Sequence, residues 1–266
     1  MNQKPVFIFA SGQRCGSTFL QRLINSTKDG QMWGEHNGYL NHLLQSFNKL
    51  VEHESYSKQE RDLFNVKGID VFTPNLTKEF SVIENSIRNH IYELFSSGGY
   101  VWGLKEVHCG ADVALFLQYL FPEAKFIHLT RNYINCFLSI KNWEERPGLY
   151  WDRGTSCYML DEWARINFSF NKCVNQFNNC LSIRYEDIFI DKNKFVTTLS
   201  NFLEINESAF DLSVFEKKLY HQYQPDLNDH RPKLTVKDLT DSEKKLLSRK
   251  HLLMVAKLYN YDITFN

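Results

Sequence analysis

Charge of one sign is what this sequence lacks first: 31 lysines and arginines are balanced by 31 aspartates and glutamates. Without net charge there is no global cationic field, which argues against a nucleic-acid polymer or an anionic membrane surface as partner. Long apolar runs are missing too. None reaches the roughly 18–20 residues of a membrane span, and the opening MNQKPVFIF is too polar to read as a secretory leader. A cytoplasmic protein is therefore expected. The six cysteines contain no CxxC and no zinc spacing, and His53, His90, His128, His221, His230 and His251 share no ligand pattern. Buried thiols and no metal site follow as expectations, with His128 packed in a core strand. No repeat and no linker divides the 266 residues, so 1–266 is read as a single domain.

What is present alternates. VFIFA at 6–10 is a short, nearly continuous apolar run of the buried-strand type, and helical spacing follows from Thr18 to Ile24. Further strands are predicted at 100–105, 124–131 and 180–188. Helices are predicted at about 38–52, 80–96, 111–121, 157–178, 193–203 and 240–259, with one more after 131. The helix at 111–121 stops before Pro122. Two stretches are read as segments covering a pocket: 53–79, charged and poorly periodic, and 145–156, which holds proline, two glycines and two aromatics. Strands alternating with helices imply an α/β fold in three layers, a mostly parallel central sheet with helices on both faces.

The chemistry concentrates in SGQRCGSTF at 11–19. Strand, glycine-rich turn and helix start, in that order, make an anion site, because unpaired backbone N–H groups and the helix dipole point at one spot. The turn lacks the GxxxxGK[ST] of a Walker A box; an arginine, Arg14, precedes Gly16 where that box has a lysine after its glycine. An arginine with a nest of N–H donors can neutralise phosphate or sulfate without a metal. Taken alone, the loop is equally a tight turn with a surface arginine. Two later segments add to it: Arg131 at the carboxyl end of a strand, where open α/β sheets bind ligands, with Ser139 eight residues on, and Arg184-Tyr185-Glu186-Asp187 at the end of another, where the arginine is equally one that fixes the tyrosine loop by a salt bridge.

These three segments resemble the sulfotransferases that use 3′-phosphoadenosine 5′-phosphosulfate (PAPS), a fold of the P-loop nucleotide-binding type. SGQRCGSTFLQRLI resembles the loop that holds the 5′-phosphosulfate, which implies contacts from Arg14, Cys15, Gly16, Ser17 and Thr18. LTRNYINCFLSIKNW resembles the 3′-phosphate segment, implying Arg131 and Ser139, and IRYEDI resembles a supporting third segment. The resemblance spans about 6–190; beyond it, Arg231 or Lys233 is the candidate for a C-terminal loop over the 3′-phosphate. It implies sulfuryl transfer to a hydroxyl or amine of a small-molecule or carbohydrate acceptor, without a metal.

A general base is needed, and Glu35, in MWGEHNGY, resembles the glutamate of the tyrosylprotein and bacterial carbohydrate enzymes. His108, in GLKEVHCG, resembles the histidine of the cytosolic small-molecule branch but stands one residue farther from Lys105, a slip that turns a strand residue to the other face. Glu35 is therefore favoured, with His108, His36 and Glu106 as alternatives. Lys105 is placed on the sulfate oxygens. Tyr39, Trp143, Tyr150 and Trp151 are candidates to line the acceptor pocket, and Glu144, Glu145 and Asp152 to attract a cationic acceptor. Competing readings are a kinase with a degenerate loop and a catalytically silent nucleotide-binding or interaction protein.

Overall fold

The computed structural model describes residues 4–76, 78–96, 99–144, 153–217 and 234–265. Among the described residues five strands form one sheet: β1 (Lys4–Ala10), β2 (Gly30–Trp33), β3 (Val101–Glu106), β4 (Lys125–Thr130) and β5 (Cys180–Arg184). Their order is β2-β3-β1-β4-β5 and every pairing is parallel. The helices are α1 (Ser17–Asn25), α2 (Tyr39–Lys67), α3 (Phe80–Phe95), α4 (Ala111–Leu120), α5 (Tyr133–Glu144), α6 (Arg153–Cys173), α7 (Lys192–Leu203), α8 (Asp241–Leu247) and α9 (Lys250–Leu258).

The apolar run at 6–10 is central because it is buried on both sides. Phe7 and Phe9 join one core with Trp102, Leu104 and Phe126, while Val6, Ile8 and Ala10 join the other with Ile127, Leu129 and α1. Alternate residues of a strand point to opposite faces, so a run apolar at every position needs a layer of helices on each side. His128 lies in this interior, 2% exposed and stacked on Phe170 at 4.3 Å between ring centroids, and burial pushes its imidazole down to about 3. The six cysteines are free thiols, three of them buried.

At Gly103 the backbone of β3 has φ +156°, and a Cβ there would lie 1.7 Å from the Val6 carbonyl oxygen. Gly103→Ala is expected to lower stability by about 3 kcal/mol or more, read by denaturant unfolding, because neither central strand can retreat.

Four elements depart from the sequence reading. β2 was not predicted: only Met32 of its four residues is buried, so no apolar run announces it. α2 runs to Lys67, through much of the stretch read as pocket-covering loop. The strand predicted to 188 ends at Arg184 and turns into a 3-10 helix over Tyr185–Phe189. The C-terminal helix is two helices, broken at Ser248 and Arg249. Residues 153–156 of the second expected lid belong to α6. The rest of it, including Glu145, Tyr150, Trp151 and Asp152, lies outside the described residues, as do Arg231, Lys233 and the side chains of Trp143 and Glu144.

Candidate active site

Because all five strands are parallel, their carboxyl ends meet along one rim. β1 delivers the loop 11–16 there. Gly12 and Gly16 take φ +113° and +91°, and Arg14 is left-handed at +62°. Gly16 is the N-cap of α1, and its residue type leaves no side chain to occupy the helix's first N–H groups. A Cβ at 16 would lie 2.1 Å from the Tyr185 ring, so glycine is required both by the positive φ and by the close approach of that ring.

β4 ends at Thr130 and places Arg131 beside the loop. Its Nη1 donates to the Arg14 carbonyl oxygen at 2.8 Å, and its guanidinium lies 4.5 Å from the centroid of the Tyr185 ring. The Trp163 indole donates to the Arg131 carbonyl oxygen at 2.8 Å. From α5, Ser139 Oγ accepts from Arg14 Nε at 3.2 Å. Glu186 braces the turn behind them, accepting from the Asn132 backbone N–H at 3.0 Å and from the Tyr261 hydroxyl at 3.0 Å. Arg184 does not enter this group; it lies 4.0 Å from Asp187 and over the Tyr261 ring.

The adjoining ends of β2 and β3 supply the other wall. Lys105 and Glu106 are consecutive in β3 and point to opposite faces, Lys105 in register with Ile8 and Glu106 with Phe9. Lys105, with 5% of its side chain exposed, makes an ion pair with Glu35, whose side chain is 35% exposed. Glu106 is fully buried; its carboxylate accepts from the His36 backbone N–H at 3.1 Å. Burial, reinforced by the nearby Glu35 charge, pushes the Glu106 carboxyl up to about 7 against the backbone N–H groups that favour its charged form. Burial, and secondly Lys105, holds the His36 imidazole below its ordinary value.

A raised carboxyl value means that the folded protein binds a proton the unfolded chain releases, so the stability tied to Glu106 is present below about pH 4.5 and is lost as pH rises through about 7. Glu106→Gln removes that titration. Relative to the unmodified chain, the variant is expected to gain about 3 kcal/mol between pH 4.5 and pH 8 in urea unfolding.

Arg14, Gly16, Ser17, Thr18, Glu35, Arg131 and Ser139 thus line one cavity of about 440 Å³ with Tyr185 and Gln13. Lys105 reaches it through Glu35. Cys15 faces inward instead, fully buried with Sγ 3.5 Å from that of Cys136, so only its backbone is available to a ligand. His108 stands apart: its carbonyl oxygen accepts from Asn41 and Arg165, and the residue lines neighbouring cavities rather than this one. The sequence points to Tyr185 only as part of the Arg184–Asp187 segment and does not point to Gln13. Tyr185 had a signal in the IRYEDI segment; Gln13 had only its position inside the loop. Among the described residues no group of three or more His, Cys, Asp or Glu is placed to hold a metal ion, and no helix is long and apolar enough to cross a membrane.

The sheet is parallel throughout, and an arginine-bearing, glycine-rich turn precedes its first helix. Residues 5–209 match the model of the sulfotransferase family (Sulfotransfer_3), and the chain belongs to that family. No curated protein sequence matches it. Among solved structures it is similar to the sulfotransferase domain from the olefin synthase of Synechococcus PCC 7002, at 16% identity and TM-score 0.55, with 99% of this chain and 97% of that one covered. It is also similar to mouse sulfotransferase SULT7A1 complexed with PAP, at 12% identity and TM-score 0.53, covering 98% and 89%. At these identities the likeness is one of fold.

Proposed function

We propose that the protein moves a sulfuryl group from PAPS to an acceptor hydroxyl or amine, with a P-loop-type arrangement of the donor and Glu35 as general base. The observation that supports this most is the meeting of two arginines, a hydroxyl-bearing helix start and an ion-paired carboxylate in one 440 Å³ cavity on the rim. The residues suit the donor: Arg131 Nε is buried without a hydrogen-bond partner among the described residues, and Gly16 keeps the helix N-terminus clear.

In this reading Arg14 and the N–H groups of residues 16–18 hold the 5′-phosphosulfate end, and Arg131 with Ser139 holds the 3′-phosphate. Glu35 takes the acceptor proton as the acceptor oxygen or nitrogen attacks sulfur in line. Lys105, released from Glu35 as that carboxylate gains the proton, neutralises charge developing on the sulfuryl and bridging oxygens. His108 is assigned no proton transfer, since it does not line the cavity that holds Glu35. Arg231 and Lys233 remain candidates for closing over the 3′-phosphate. Of the proposed covering segments, 145–156 contributes Thr155 to the neighbouring cavity that also contains His108.

Calorimetric titration with 3′-phosphoadenosine 5′-phosphate (PAP), and separately with ATP plus Mg²⁺, tests the donor assignment. Micromolar PAP binding, insensitive to EDTA and much tighter than ATP, is expected. Preference for Mg-ATP overturns the reading in favour of phosphoryl transfer.

A further inference from the structure

Three cavities lie in series along the rim. The anion cavity shares Gln13 and Ile140 with a space of about 250 Å³, which in turn shares His108, Tyr158 and Glu162 with an open groove of about 570 Å³. The groove runs along the first turns of α2, facing α6.

Its chemistry is distinctive. Asn37 stands just before α2, and Asn41, Gln45 and Asn48 follow at i, i+4 and i+7, which puts three amides in a row on one helix face with His42 beside them. By helical rise the row spans about 10 Å, longer than a single sugar ring. Asn37, His42, Gln45 and Asn48 are exposed, and their side chains make no hydrogen bond to any described residue. Tyr158, 59% exposed, contributes an aromatic surface from α6. Charge is largely cancelled: Glu162 accepts from Arg165 Nε at 2.8 Å and Nη2 at 2.9 Å, and Asp112 is the remaining carboxylate. Leu44 is the lone aliphatic residue among the described residues of the lining.

Each amide offers a donor and an acceptor side by side, the pairing that vicinal hydroxyls present in return. A phenol or sterol calls for apolar walls, which these residues do not build. A cationic acceptor calls for uncompensated carboxylates, and Arg165 occupies one of the two.

We infer that the groove seats a neutral oligosaccharide, one ring over Tyr158 and its hydroxyls on the amide row, with the reacting hydroxyl carried toward Glu35; this rests on the sulfotransferase reading above. In the transfer the sugar oxygen–sulfur bond forms, the bond from sulfur to the donor phosphate breaks, the hydroxyl proton goes to Glu35, and PAP leaves.

The test separates the two layers. PAP binding is measured first by calorimetry. Transfer from PAPS is then followed on mono- to tetrasaccharides of glucose, galactose and N-acetylglucosamine, and on 4-nitrophenol and 2-naphthol. Transfer to an oligosaccharide is expected, with KM falling about tenfold from mono- to trisaccharide, and Gln45→Leu/Asn48→Leu is expected to raise the trisaccharide KM about tenfold with the donor KM unchanged. PAP binding with transfer to the phenols alone, or to no sugar, overturns the oligosaccharide assignment, as does a trisaccharide KM indifferent to the double substitution. Loss of PAP binding in the unmodified protein instead overturns the sulfotransferase reading beneath it.

Discussion

Replacing Glu35 by glutamine is expected to lower kcat by about 10²–10⁴-fold, the usual scale for a positioned base, while PAP affinity stays within twofold. The substitution keeps shape and removes both the proton acceptor and the anion that pairs with Lys105. Donor affinity holds because the groups assigned to the donor phosphates, Arg14, Arg131 and Ser139, are tied to one another and not to Glu35. Single-turnover kinetics with saturating donor report the chemical step directly. A Glu35→Gln enzyme near full rate, with His108→Gln inactive, defeats the base assignment; the reverse pattern is expected, because His108 stands outside the cavity that holds Glu35.

The second large effect belongs to Arg14. Arg14→Ala is expected to weaken PAP binding by about ten- to a hundredfold and to lower kcat/KM further, by about 10²–10³-fold, because a charge-assisted contact at the breaking bond strengthens in the transition state. The left-handed backbone at Arg14 and its Nε contact with Ser139 fix the guanidinium against α5. Arg131→Ala makes the comparison informative: its assigned phosphate does not react, so its cost falls on donor KM with kcat kept. Equal losses of kcat in both variants count against assigning different phosphates to the two arginines.

The half of the site built on β1 and β4 was legible because each signal there is local. An apolar run followed by a glycine turn reads as a strand and helix start, and an arginine at the end of an apolar run reads as a rim residue. The wall built on β2 and β3 was only partly legible. Glu35 and Lys105 emerged as separate candidates, but their ion pair depends on β2 lying beside β3, and β2 offers one buried residue in four. The burial of Glu106 was hidden likewise: alternation in β3 sets it opposite Lys105, yet nothing local tells that its side is dry. α2 was read too short for a related reason. Past residue 52 it is charged and mostly exposed, its regularity supported by pairs such as Arg61 with Glu54 rather than by an apolar stripe, so the period that betrays a helix is absent.

The strand order gives the molecule a division of labour. β1 sits in the middle, with β4 and β5 on one side and β3 and β2 on the other. The side chains assigned to the donor come from β1 and the first side, whereas Glu35, Lys105 and the amide-rich face of α2 hang from the second. Substitutions along the exposed face of α2 lie outside the cavity that holds Arg14, Arg131 and Ser139. On the proposed reading, a lineage carrying this sheet can therefore change what it modifies while keeping the reagent it modifies with, and relatives are expected to diverge faster along residues 37–48 than at Glu35 or along 11–18.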